Sequence, residues 1–167
     1  MQVVTESKAK KVWRQWQPFV VAIGLTFLVG ALSTLASGNG QRALYQSLTL
    51  LSGAVPGEVF GLVWPVWYLL LGVSAALVFR GPASMAKSEG LRFYELHLLI
   101  LFVWPILFFR MEAYWASFTL LLLLVFVLYM MMARYYTVSK PAFWILIPYC
   151  LWILYALWLN LRVAMLN

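Results

Sequence analysis

The sequence predicts an all-α fold, a polytopic membrane protein built as one five-transmembrane-helix bundle, and two observations carry that prediction. The 167 residues are 65% hydrophobic and 10% charged, whereas an ordinary soluble domain is about half apolar. Five apolar segments stand out, near 17–36, 60–79, 93–109, 117–136 and 143–161. Each approaches the roughly 20 residues a helix needs to cross hydrocarbon, the third being short unless its flanking residues snorkel. Residues 1–167 are thus expected to form a single transmembrane domain, with almost nothing left for a water-soluble one.

The first segment follows Lys8, Lys10, Lys11 and Arg14, an opening that resembles a secretory signal. Its apolar run exceeds a signal core of about 7 to 15 residues, and four more spans follow, so an uncleaved first helix is expected. Pro18, Ala22, Thr26, Gly30 and Thr34 recur four apart, a small-residue stripe for close helix packing, within the bundle or between subunits. The connection 37–55 is the longest in the chain. Its polar start and the run from Leu44 to Leu48 suggest a short amphipathic piece on the outer surface, acting as a lid over an outward-facing cavity or simply as a loop.

Phe60, Trp64, Tyr68, Gly72 and Ala76 also fall four apart, so one side of the second helix carries three rings and then two small residues. Pro65 inside this helix removes a backbone hydrogen bond, which membrane helices tolerate where a neighbour re-satisfies the freed carbonyl. The aromatic face is a cavity wall or ordinary helix packing. The basic connection from Arg80 to Arg92 carries Gly81-Pro82 as a turn signal and nothing that suggests chemistry.

In the third segment His97, Leu101, Trp104 and Phe108 share a face, interrupted by Pro105. A histidine about one turn inside the bilayer needs a polar partner, either a structural hydrogen bond to another helix or a functional contact. Glu95 is expected to pair with Arg92 three residues back. The fourth segment, with Leu120 to Leu124 unbroken and Met130, Met131 and Met132 near its end, reads as a lipid-facing scaffold. The fifth carries Pro148-Tyr149 and then Trp152, Ala156 and Asn160 four apart, a wall with one polar handle.

The net charge of +7 has a topological meaning in such a chain. Lys8, Lys10, Lys11, Arg14, Arg80, Lys87, Arg92, Arg134 and Lys140 fall on one side of the membrane, and only Arg42, Arg110 and Arg162 on the other. The excess places the amino terminus inside, and the charge does not point to nucleic acid. One cysteine, Cys150, one histidine and no aspartate leave no metal site, thiol pair or paired-carboxylate centre, so no catalytic residue is nominated. At about 1.5 Å per residue, Trp64, Trp104 and Trp152 all lie in the outer half of the membrane, below the long connection. Three helices, each interrupted by a proline, converge there with an indole, which favours a cavity.

From Tyr45 onward these residues resemble the family of tryptophan-rich sensory proteins that includes the mitochondrial translocator protein. Val59-Phe60-Gly61, Val63-Trp64, Tyr68 and Gly72 look like its second-helix signature, Trp104 with Phe108-Phe109 its third, and Pro148-Tyr149, Trp152, Ala156 and Leu159-Asn160 its fifth. The resemblance implies a five-helix bundle, usually a homodimer, in a bacterial cell membrane here. It also implies a receptor, sensor or transporter whose aromatic cavity binds a tetrapyrrole such as protoporphyrin IX as a ligand rather than a cofactor. The candidate ligand-binding residues are Trp64, Tyr68, His97, Leu101, Trp104, Trp152, Ala156 and Asn160. Light-dependent porphyrin breakdown and a purely structural role are the alternatives. Where the family's third helix carries Gln and Asn, this chain has His97 and Leu101, so His97 is the candidate substitute for a missing amide anchor. Val55-Pro56 replaces a doubled proline and Leu44 a loop tryptophan. No tyrosine lies between Leu159 and Arg162, so sterol binding is not carried over.

Overall fold

In the computed structural model, which describes residues 8–48 and 54–167, the chain is helical apart from short connections. In order it forms α1 (Lys8–Ser37), α2 (Gln41–Ser47), α3 (Gly57–Arg80), α4 (Met85–Pro105) continued by a π-helical turn (Ile106–Arg110), α5 (Tyr114–Val138), α6 (Lys140–Ile145) and α7 (Ile147–Leu166). Among the described residues, five stretches are long and apolar enough to span a membrane: Val12–Ser37, Gly57–Arg80, Met85–Arg110, Tyr114–Val138 and Lys140–Leu166. The chain is an integral membrane protein with the expected all-α architecture.

The third span is longer than its apolar run. Ser84 caps α4 by accepting the Lys87 N–H at 3.1 Å, so the helix begins at Met85 rather than near 93. Much of the basic segment read as a loop is therefore helix, its charged residues placed beyond the apolar run. The expected Arg92–Glu95 pair is not formed; the ion pair made here joins Glu89 to Arg134 at 2.6 Å and ties α4 to α5. Nor is α5 only a lipid-facing scaffold. Leu124, Val127, Leu128 and Met131 are fully buried while Leu122, Leu123, Phe126 and Tyr129 face outward, so one side of α5 belongs to the core.

The three prolines act differently. Pro65 sits within a continuous α3. After Pro105 the Ile106 N–H turns to Val103 O, and the Phe102 carbonyl thereby left free accepts a 2.8 Å bond from Ser33 Oγ of α1. The fifth span breaks two residues before Pro148, at Leu146, whose N–H bonds Phe143 O at 3.0 Å. There the freed Ala142 carbonyl accepts from Ser74 Oγ of α3 at 2.7 Å. Each break is thus closed by a serine hydroxyl from a neighbouring helix, as lipid-embedded backbone requires.

The small-residue stripes are used inside the chain. A Cβ at Gly72 would fall 2.6 Å from Ile23 Cα, and one at Gly30 would fall 2.2 Å from the Tyr68 ring, so α1 and α3 approach through their glycines. These two glycines therefore serve packing within the chain.

Candidate ligand-binding groove

Phe60 is the centre of the aromatic cluster, although it was not among the residues expected to bind ligand. It stacks on Tyr45 with centroids 5.4 Å apart and contacts Trp152 at 5.7 Å, Trp64 at 6.1 Å and Trp104 at 6.4 Å. Trp64 and Trp104 also touch directly, at 6.0 Å and an angle of 35°. The convergence of three tryptophans read from helix depth is therefore real, with a phenylalanine as its hub.

A groove of about 380 Å³ opens between α1, α3 and α4. Trp64, Tyr68, Leu101 and Trp104 line it, facing the α1 backbone at Gly30 and Ala31. Phe109 lines it as well, set by the π-helical turn, which also buries Phe108. Towards α2 the groove meets a wider opening of about 700 Å³, with Thr34, Gln41, Phe60, Gly61 and Phe109 common to both. Arg42 and Glu58 form an ion pair at the rim of that opening.

The segment expected to act as a lid includes α2; residues 49–53 lie outside the described residues. Its return to α3 is pinned at Val55. The Tyr45 hydroxyl donates to Val55 O at 2.9 Å, and the Val55 N–H donates to the Tyr155 hydroxyl at 2.9 Å. A proline at position 55 has no N–H to give, so the departure from the doubled proline supplies this second tie. Burial, with Tyr155 nearby, pushes the Tyr45 phenol up to about 12, which keeps it neutral and able to donate.

Four of the eight nominated residues, Trp64, Tyr68, Leu101 and Trp104, line the groove; His97, Trp152, Ala156 and Asn160 do not. Trp152 lies beyond Phe60 and packs on Trp67 at 5.8 Å and Tyr155 at 5.4 Å. Ala156 is buried. Asn160, 1% exposed, accepts from Trp104 Nε1 at 3.2 Å and Ser117 Oγ at 3.0 Å, and donates to Tyr114 O at 3.3 Å. It is a hub that holds Trp104 in place from behind.

His97 is fully buried, with Nε2 2.7 Å from the Tyr149 hydroxyl. Four residues along α4, about 6 Å, separate it from Leu101. At its depth the fully buried Tyr149 ring packs edge-on against it at 5.6 Å, so His97 joins α4 to α7 beneath the groove. Ser33, Ser74 and Ser117, which the helical spacing does not single out, supply further interhelical bonds. Their signal is faint: an isolated hydroxyl in an apolar run needs an acceptor.

Fold and site together define a polytopic helical membrane protein built around a cluster of tryptophans. The family model described as the TspO/MBR family matches residues 22–166, and the chain belongs to that family. Among curated proteins it is 26% identical over 155 residues to the tryptophan-rich protein TspO of Chlorobaculum tepidum, covering 92% of this chain and 98% of that one. It is also 26% identical over 149 residues to the protein of that name from Bacillus cereus, covering 89% of this chain and 94% of the relative.

Proposed function

We propose that the groove binds a planar tetrapyrrole such as protoporphyrin IX and that the protein senses or carries this ligand in a bacterial cell membrane. The observation that supports this best is the indole pair of Trp64 and Trp104, in which buried Trp104 backs half-buried Trp64 and so leaves the Trp64 ring to meet a ligand in the groove. The two ring centroids, 6.0 Å apart, leave no slot between the rings, because a flat ligand needs about 3.5 Å on each side. The macrocycle therefore lies on the Trp64 side of the pair rather than between its indoles. A volume near 380 Å³, continuous with the wider opening, suits a ligand that remains partly outside. Arg42 at that opening can exchange Glu58 for a ligand carboxylate.

Protoporphyrin IX titration followed by tryptophan quenching tests the reading. Trp64→Ala is expected to weaken binding by about tenfold, through lost stacking of about 0.5–1.5 kcal/mol and lost apolar burial. His97→Gln and Trp152→Phe, which alter residues away from the groove, are expected to change affinity by less than about twofold, with no dependence on histidine titration. Unchanged affinity in Trp64→Ala would move the site elsewhere.

Within this reading the cationic end, with Arg80, Lys87, Arg134 and Lys140, faces the cytoplasm and α2 faces outward. In a Cys150→Ala background, Asn39→Cys should react with an impermeant maleimide added outside, and Ser84→Cys should not. Reaction of Ser84→Cys alone reverses the orientation. The homodimer of this reading uses surfaces other than Gly30 and Gly72.

A further inference from the structure

A second groove, of about 470 Å³, shares no lining residue with the aromatic one. It lies at the cationic end between α1 and α4, with Ala75 and Phe79 of α3 as its floor. We propose that it holds one acyl chain of an anionic phospholipid from the adjoining leaflet, with the lipid phosphate at its cationic mouth. On α1 its lining runs from Arg14 to Leu25. Eleven residues rise about 16 Å, half of a hydrocarbon core about 30 Å thick, so the groove reaches from headgroup level to the bilayer middle.

The polarity of the α1 wall runs in the same direction. On α1, Val21, Ala22 and Leu25 line the deep part while Arg14 and Gln17 stand at the mouth; on α4, Leu91 lies towards the mouth, with Tyr94 and Glu95 about a turn deeper. Two more cations flank it: Arg80 lies 5.6 Å from the Phe19 ring centroid, and Lys87 lies 5.2 Å from that of Phe79. Arg14, Arg80 and Lys87 thus gather cationic charge at this end of the groove, which complements a phosphate. A chain gains little by leaving bulk lipid for an apolar groove, since both are hydrocarbon. Selectivity must therefore come from the headgroup, at roughly fivefold per surface cation. A second copy of the chain is the weaker occupant, because a helix would need an apolar face longer than one leaflet.

The test is native mass spectrometry of the purified full chain titrated with phosphatidylglycerol or phosphatidylcholine of identical acyl chains. One retained phosphatidylglycerol, preferred by about fivefold or more, is expected. Arg14→Gln with Arg80→Gln, which leaves Lys87, should lower that preference by about fivefold or more while total retention of the two lipids persists. Ala22→Phe, which fills the groove, should reduce retention of both; the arginine variant keeps the test decisive if this one misfolds. Equal retention of the two lipids by the unaltered protein, or an unchanged preference in the arginine variant, overturns the proposal. So does displacement of the lipid by soluble glycerol phosphate, which would mark a phosphate site without a chain, or lipid retention confined to dimers, which would assign the groove to a second copy.

Discussion

Gly72→Leu is expected to prevent the bundle from folding, with a loss of more than about 3 kcal/mol. The reason is what the new side chain meets. A Cβ there lies 2.6 Å from Ile23 Cα and 2.9 Å from Ile23 N, so the clash is with backbone, and the long α1–α3 interface must separate to relieve it. Gly24→Ala, on the open side of α1 with nothing within 4 Å, should leave stability unchanged or slightly improved. Unfolding in mixed micelles measures both. A stable, monomeric Gly72→Leu protein would show that the glycine serves a subunit contact.

Asn160→Leu should be the most damaging single change near the groove. It leaves Trp104 Nε1 without its acceptor inside a membrane span, and it removes the ties of α7 to Ser117 Oγ and to the Tyr114 carbonyl, which still bond each other. Interhelical bonds in membrane proteins average about 0.6 and reach about 1.7 kcal/mol, so losing three of them costs about 2–5 kcal/mol. Trp104 is then no longer held, and porphyrin affinity should fall severalfold with it. Ser117→Ala removes one of the three and should cost no more than about 1.7 kcal/mol. Full stability in Asn160→Leu would mean that the hub is dispensable.

The contrast between Asn160 and His97 shows where sequence reasoning stopped. Both are polar residues on apolar helices; the sequence marks His97 as needing a partner and Asn160 as the polar handle of a wall. It does not name the partner, because Tyr149 and Trp104 become neighbours only when the helices are set in rotation about their axes. The same limit hid Phe60, which looks like one ring in an aromatic stripe until Tyr45, Trp104 and Trp152 arrive from three other elements.

Quantities that accumulate along the chain were legible from residues alone. Span number follows from run length, indole depth from a fixed rise per residue, and family membership from short motifs at fixed spacing. Start points were less so: α4 begins within a charged segment, since hydrocarbon thickness bounds the apolar run and not the helix. Pairings of side chains on different helices were decided by the tertiary structure. Close approach at Gly30 and Gly72 sets how α1 meets α3, and the breaks at Pro105 and Leu146 set the course of α4 and α7. From those settings it follows that Trp64 and Trp104 form one platform, while Trp152 and His97 stand behind it.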